Sequence, residues 1–225
     1  RALGGKVAVI TGAANGIGRA LTLGLWAKGC SVALLDLSAE GLADLQASLI
    51  PNRDGQRVST HIVDVGDKGA MEAAAREVAQ AHGAIHLLIN NAGIAHEASF
   101  PQTRLEDWER MISVNLWGVI YGCHFFMPYL AKVERAHIVN LSSLFGILGM
   151  AGQTAYCTTK FAVRGLSESL WEELRPTTIG LTVVHPGGVA TQIIRSAQGD
   201  DPELLERLGD FYERRTMSPH KAAAK

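Results

Sequence analysis

Residues 6–18 read Lys6-Val7-Ala8-Val9-Ile10-Thr11-Gly12-Ala13-Ala14-Asn15-Gly16-Ile17-Gly18. An apolar run enters a turn with three glycines, and a helical pattern opens at Ile17. Each glycine has a job in such a turn. One permits the sharp bend, one lets the backbone approach a bound group, and one lets helix and strand pack closely. A helix starting there offers N–H donors and the positive end of its dipole, which suit a pyrophosphate. The spacing is Gly-x-x-x-Gly-x-Gly, not the commoner Gly-x-Gly-x-x-Gly. Gly-rich turns close many strands, so the motif draws its weight from its place in the first strand–turn–helix unit.

Outward from this unit, strand-like runs alternate with helical patterns. The strands are expected at Lys6–Thr11, Ser31–Asp36, Val58–Val63, His86–Asn90, Ala136–Leu141 and Gly180–His185. They read as nearly all apolar, as strands covered on both faces must be. Helices are expected at Ile17–Lys28, Ala39–Leu49, Lys68–His82, Leu105–Ala131 and Ala155–Leu174. Apolar residues recur there at spacings of about three to four, as in Met111, Val114 and Trp117. Ser38 and Asp67 stand where helix caps belong. The alternation predicts an α/β fold: one Rossmann-type, doubly wound parallel sheet of order 3-2-1-4-5-6, flanked by helices on both faces. Right-handed crossovers put every strand's C-terminal end on one side, where ligands bind. Residues 1–225 read as one domain. Residues 51–57 are expected as a surface loop, and 191–216 as a polar segment that covers the substrate. Ser218-Pro219-His220-Lys221-Ala222 looks like the capped start of a further helix, so the chain reads as cut before a last helix and a seventh strand.

Bulk composition narrows the function. The 225 residues are 47% apolar and 19% charged, with a formal net charge of −1. This is a globular composition, with no basic surplus for nucleic acid and no acidic arm. The apolar runs are too short to span a bilayer, and a strand by Val7 leaves no room for a signal peptide in the sequence shown. Cys30, Cys123 and Cys157 form neither a disulfide framework nor a metal spacing, so no metal is expected. Cys157 reads as a small packed hydrophobe. A reducing, cytoplasmic setting fits.

Asp36 ends the second strand, where a carboxylate can accept from two ribose hydroxyls and repel a 2′-phosphate. Leu37 follows it and Asn15 stands in the turn, so no cation is placed for that phosphate. NAD is favoured over NADP. Asp36 could instead cap the next helix, although Ser38 is the better cap.

Tyr156 and Lys160 are i and i+4 on one helix and share a face. A phenol, with an ordinary pKa of about 10, is a poor base at neutral pH. A nearby ammonium favours the phenolate, and carbonyl reduction needs an acid because hydride addition leaves an alkoxide. Alone, Tyr-x-x-x-Lys is a common chance pair. Ser142 and Ser143 end the fifth strand on the ligand side, able to donate to a carbonyl oxygen or to cap local backbone. Asn115 lies inside an apolar helix, where a buried amide needs partners; it is either a structural bridge or part of a water chain.

Taken together, these pieces resemble the short-chain dehydrogenase/reductase family, in its shorter branch, from about Lys6 to about Thr191. Thr11-Gly12-x-x-x-Gly16-x-Gly18 resembles its cofactor turn, Asp64-Val65 its adenine-side acid, and Asn90-Asn91-Ala92-Gly93 its sheet-stabilising motif. Asn115, Ser143 thirteen residues before Tyr156, and Tyr156-x-x-x-Lys160 match its catalytic set. That spacing selects Ser143 over Ser142. Pro186-Gly187-x-Val189-x-Thr191 resembles the segment that holds the nicotinamide. The resemblance implies that Tyr156 is the general acid/base, that Lys160 lowers its pKa and binds the nicotinamide ribose, that Ser143 orients the substrate oxygen, and that Asn115 holds a relay water. It also implies that NAD is surrounded by Thr11, Gly12, Asn15, Gly16, Ile17, Gly18, Asp36, Leu37, Asp64, Val65, Asn91, Ala92, Gly93, Tyr156, Lys160, Pro186, Gly187, Val189 and Thr191. Family members are usually homodimers or homotetramers, and the apolar faces of the helices at 105–131 and 155–174 are the expected contact.

Substrate choice is expected from Ile94, His96, Phe145, Met150, Gln153, Gln192, Ile193 and the 195–212 segment. Most are apolar, which points to a fairly hydrophobic secondary alcohol or ketone. His96 reads as a solvated loop residue, and Arg195 is the one cation placed to meet a carboxylate. Two alternatives stand beside the NAD-linked reading: an NADP-linked carbonyl or 3-oxoacyl-thioester reductase, and a non-catalytic dinucleotide-binding scaffold.

Overall fold

A computed structural model describes residues 3–189, 198–199 and 216–224. Its first unit is β1 (Val7–Thr11) followed by α1 (Gly16–Ala27). There follow β2 (Ser31–Asp36), α2 (Ala39–Ser48), β3 (Val58–Ile62), α3 (Lys68–His82) and β4 (Leu87–Asn90). After the two-residue β5 (His96–Glu97) come α4 (Leu105–Ile112), a π-helical turn (Ser113–Trp117) and α5 (Gly118–Leu130). Then come β6 (Ala136–Leu141), a 3₁₀ turn (Leu144–Gly146), α6 (Thr154–Leu174), β7 (Ile179–Val184), β8 (Gln198–Gly199) and α7 (Pro219–Ala223).

Six strands form one parallel sheet in the order β3-β2-β1-β4-β6-β7. Numbered within that sheet alone, this is the expected 3-2-1-4-5-6. Alternate residues feed opposite faces, as the strand period requires. Val9, Ala33, Leu35 and Leu88 pack with Met71, Val78 and Phe126 under α3, α5 and α6. Ala8, Ile10, Val32 and Leu34 pack with Leu25, Trp26, Leu42 and Leu45 under α1 and α2. Both faces are therefore covered, which explains why the central strands are apolar along most of their length. Ser38 Oγ accepts from the Gly41 N–H, and Asp67 Oδ1 from the Ala70 N–H, so both expected caps form.

The structure corrects the sequence reading in three places and bears it out in a fourth. The expected helix 105–131 is broken by the π turn, the kind of local widening that often marks a functional site. β3 is an edge strand with partly exposed residues, not a fully apolar one. Its polar side chains are tied rather than packed: Ser59 Oγ lies 2.9 Å from both His61 Nε2 and His82 Nε2, and His61 Nδ1 lies 3.1 Å from Glu77 Oε2. Burial pushes the His82 imidazole down to about 4. His96 is buried in β5, which pairs with β8, and is not a solvated loop residue. Finally, the C-terminal stretch does form a short helix, capped by Ser218 and packed on α1.

Candidate active site

The Gly-rich turn joins β1 to α1 at the C-terminal edge of the sheet, beside the end of β4. Gly12 has φ +64°, and a Cβ there would stand 2.8 Å from Ala92 Cα. A Cβ on Gly18 would meet the Gly12 carbonyl at 2.1 Å. Glycine is required at both positions by contact, and at Gly12 also by backbone conformation. The side chain of Asn15, the N-cap residue, makes no capping bond, and the first turn carries no acid. The N–H donors of α1 are thus not claimed by a capping side chain. Together with the clearance that the glycines leave, this fits a pyrophosphate at the helix start.

Two residues lock this turn to β4. Thr11 Oγ1 accepts from the Asn91 and Ala92 N–H groups, each at 3.0 Å. Asn91 Nδ2 donates back to the Thr11 carbonyl at 2.9 Å and the Gly12 carbonyl at 3.1 Å. One strand further, Asn90 Nδ2 donates to Asn140 Oδ1 at 2.8 Å, and Asn140 Nδ2 to Ser167 Oγ at 3.0 Å. These buried amides tie β4, β6 and α6 together.

Asp36 lies half-buried at the end of β2. Its Oδ2 accepts from the Ala14 N–H at 2.9 Å and its Oδ1 from the Ser38 N–H at 3.0 Å. A carboxylate offers about four acceptor sites, so two remain for hydroxyls. Leu37 is exposed beside it. Asp64 Oδ1 turns onto the Gly66 N–H at 2.8 Å, while Val65 is buried against Gly118. Leu37, Asp64 and Val65 thus follow the C-terminal ends of β2 and β3, on the same side of the sheet as the Gly-rich turn.

The second group of residues gathers around Gly93. A Cβ on Gly93 would lie 3.2 Å from Asn115 Oδ1 and 3.4 Å from Lys160 Nζ. Asn115 sits at the centre of the π turn and is fully buried. Its Oδ1 accepts from the Ile94 N–H at 2.8 Å, and its Nδ2 donates to the Ile94 carbonyl at 2.9 Å and to Thr159 Oγ1 at 3.2 Å. These bonds bridge the π turn to Ile94 and to Thr159 on α6. Lys160 is buried on α6, its ammonium donating to the Leu141 carbonyl at 3.1 Å and lying 5.6 Å from the centroid of the Tyr156 ring. Burial pushes this lysine down from 10.5 to about 8. Tyr156 is half-buried, with the Phe145 ring edge-on to it at 6.3 Å.

The two serines differ in their surroundings. Ser142 is buried and donates to the Lys160 carbonyl at 2.8 Å, a structural bond. Ser143 stays partly exposed; its Oγ accepts from the Phe145 N–H at 3.2 Å and its carbonyl lies 3.1 Å from His185 Nδ1. The Pro186 carbonyl accepts from the Leu144 N–H at 2.8 Å, so the segment after β7 is fastened to the turn after β6. Gly187 has open space around it, and Val189 is buried and bridges to Met217. Thr191, Gln192, Ile193, Arg195 and most of 195–212 lie outside the described residues.

Sequence reasoning missed three supports. Thr159 holds the Asn115 amide, His185 holds the Ser143 carbonyl, and Gly146 lets the turn after β6 press onto α6. A Cβ on Gly146 would stand 2.7 Å from the Lys160 carbonyl. Only the glycine carried a readable signal, since a glycine between large apolar residues often marks a close approach.

The family model described as short chain dehydrogenase matches residues 6–202. SadH of Mycobacterium tuberculosis is 41% identical over 223 residues, which cover 97% of this chain and 80% of SadH. The 3-oxoacyl-[acyl-carrier-protein] reductase FabG of Thermotoga maritima is 38% identical over 191 residues, or 84% of this chain and 76% of that protein. Among solved structures, a short chain dehydrogenase/reductase from Burkholderia phymatum, in complex with NAD, superposes with a TM-score of 0.91 at 30% identity, covering 100% of this chain and 85% of that one.

Proposed function

Because the chain belongs to the short-chain dehydrogenase/reductase family and is an oxidoreductase of that family, we propose that it interconverts a fairly hydrophobic secondary alcohol and its ketone, with NAD as the redox partner and Tyr156 as general acid/base. The observation that carries this reading is the cluster around Gly93, where Asn115 and the buried Lys160 ammonium meet, with Tyr156 one helical turn from Lys160.

When bound, NAD would supply the hydride acceptor for oxidation of the carbinol carbon and, reduced, the hydride donor for the carbonyl. Gly12, Asn15, Gly16, Ile17 and Gly18 would hold its phosphates, Thr11, Asn91, Ala92 and Gly93 would form the floor, and Asp36 would take the adenosine ribose. Leu37, Asp64 and Val65 would flank the adenine, and Pro186, Gly187, Val189 and Thr191 the nicotinamide. Lys160 would hold the other ribose, and its cation favours the Tyr156 phenolate. In oxidation Tyr156 Oη accepts the alcohol proton; in reduction it donates one to the oxygen that gains charge. Ser143 Oγ donates to the same oxygen and fixes its position. Asn115 fixes the Ile94 backbone beside the reacting atoms, and a relay water would complete the proton path.

Asp36, without a following cation, supports NAD over NADP. The similarity to FabG favours the alternative of an NADP-linked 3-oxoacyl-thioester reductase. A non-catalytic scaffold has no need of the full Asn115, Ser143, Tyr156 and Lys160 set. The aromatic row that runs from the π turn into α5, where Trp117 stacks on Tyr121 at 5.3 Å and Tyr121 faces Phe125 at 6.0 Å, supports a homodimer or homotetramer through α5 and α6. Among the described residues no helix is long and apolar enough to cross a membrane, and a cytoplasmic setting is part of the same proposal.

A screen of alcohols and ketones with NAD and NADP, read by nicotinamide absorbance, tests this. Turnover with NAD and a loss of roughly 10²–10⁴-fold in Tyr156→Phe are expected. Equal or better turnover with NADPH would reject the cofactor assignment, and an unchanged Tyr156→Phe would reject the mechanism.

A further inference from the structure

The segments that converge on Ser143 and Tyr156 share a property of charge. No Asp, Glu, Lys or Arg occurs from Gly83 to His96, from Ala136 to Thr159, or from Pro176 to Val189. Lys160 ends the second run, but its ammonium is buried on the Leu141 carbonyl. These runs bring no lysine or arginine to a carboxylate or phosphate close to the reacting carbon, and an anion that left water there with only hydroxyl, amide or imidazole donors for partners would lose much of its solvation.

Apolar surface takes the place of charge. Leu144, Ile147, Leu148 and Met150 are each more than 40% exposed, all within the stretch between Ser143 and Tyr156. Four large apolar side chains left open in seven consecutive residues form the kind of patch that marks a binding surface. It is continuous with the reacting groups, since Phe145 in the same stretch meets the Tyr156 ring.

Glu97 stands at the border of this stretch. The Ala98 N–H donates to the Gly152 carbonyl at 3.0 Å, stitching the end of β5 to the loop before Tyr156. A Cβ on Gly152 would lie 3.8 Å from Glu97 Cγ and 4.0 Å from its Oε1. None of the ion pairs among the described residues involves Glu97. Burial pushes its carboxyl up, so water is scarce at this border and an anion brought beside Glu97 would be poorly solvated as well as opposed by the carboxylate.

We propose that the site takes neutral alcohols or ketones whose reacting carbon carries an aliphatic chain lying along Leu144–Met150, and that Glu97 turns anionic analogues away. This rests on the alcohol/ketone reading above and specifies its substrate class.

The test uses the full chain with NAD. One series runs through 2-butanol, 2-hexanol and 2-octanol; one pair sets methyl 3-hydroxybutyrate against 3-hydroxybutyrate. Rising kcat/KM, by up to about fourfold per methylene, is expected, with Leu148→Ser and Met150→Ser flattening the rise. The ester is expected to exceed the acid at least tenfold, and Glu97→Gln to shrink that ratio severalfold. A flat series, a preferred acid, or a ratio unmoved by Glu97→Gln overturns this proposal while turnover itself keeps the oxidoreductase reading. No turnover of any alcohol, with NAD still bound in a fluorescence titration, overturns both.

Discussion

The side-chain amide of Asn115 closes a two-bond ring on the backbone of Ile94, accepting from its N–H at 2.8 Å and donating to its carbonyl at 2.9 Å. A helix residue thereby takes the part of a neighbouring strand for the chain just beyond β4. Both Ile94 groups lose their partner in Asn115→Ala. An unsatisfied buried polar group costs about 1–3 kcal/mol, so the variant is expected to lose about 2–5 kcal/mol of stability in urea unfolding. Asn115→Asp is expected to fare worse, because one oxygen would then face the Ile94 carbonyl. A loss below about 1 kcal/mol in Asn115→Ala would show that the ring carries little.

Ser142 and Ser143 are neighbours with separable effects. Ser142→Ala removes one buried bond to the Lys160 carbonyl and is expected to cost about 1 kcal/mol of stability. Ser143→Ala is expected to change stability less and to lower kcat by roughly 10²–10³-fold, the range for removing one preorganised donor to a charged oxygen. Thermal unfolding and steady-state rates on the two variants check this; the reverse pattern would reassign the serines.

Asp36→Asn keeps the shape of the side chain and removes its charge. The kcat/KM ratio for NAD over NADP is expected to fall at least tenfold, since the repulsion of a 2′-phosphate goes with the charge. The turn should lose some stability as well, because Asp36 Oδ2 holds the Ala14 N–H. A ratio that does not move would place cofactor choice elsewhere.

Two buried cations-in-waiting shape the pH dependence of stability. His82 is pushed down from 6.5 to about 4 and Lys160 from 10.5 to about 8. In each window the unfolded chain binds the proton and the folded chain does not, so stability rises with pH. Acidification below 6.5 is therefore expected to weaken the fold until about 4, and alkalinisation from 8 to 10.5 to strengthen the Lys160 contribution. His82→Gln should flatten the acid window and Lys160→Met the alkaline one, read from urea midpoints across pH. Parallel wild-type and variant profiles would refute the assignment.

The fold was legible because its signals are local and repeated. The apolar runs of β1, β2, β4 and β6 have no competing use, and Ser38 and Asp67 cap where they stand. The break at Ser113–Trp117 was hidden, since Ser-Val-Asn-Leu-Trp keeps a helical apolar spacing and the partner that Asn115 bonds from within it, Ile94, lies twenty-one residues away. His96 was misread for a similar reason. A histidine six residues past a strand end looks solvated, yet it is buried in a short strand that pairs with the distant segment 198–199. At the site, Tyr156, Lys160 and Ser143 could be placed by spacing. Thr159 and His185 could not, because they act through contacts that only the folded chain creates.

The π turn also sets a phase. Each residue of an α-helix advances the side-chain direction by about 100°, and the wider turn at Ser113–Trp117 takes up one residue more than an α-helix would. Removing a single residue there would let α4 run straight into α5. Either the Asn115 amide would swing off Ile94, or the row of Trp117, Tyr121 and Phe125 would rotate by about 100° around the helix. The interior chemistry and the outer aromatic face are thus coupled through chain length alone. A solvent-exposed loop can gain or lose residues cheaply; this helical segment cannot.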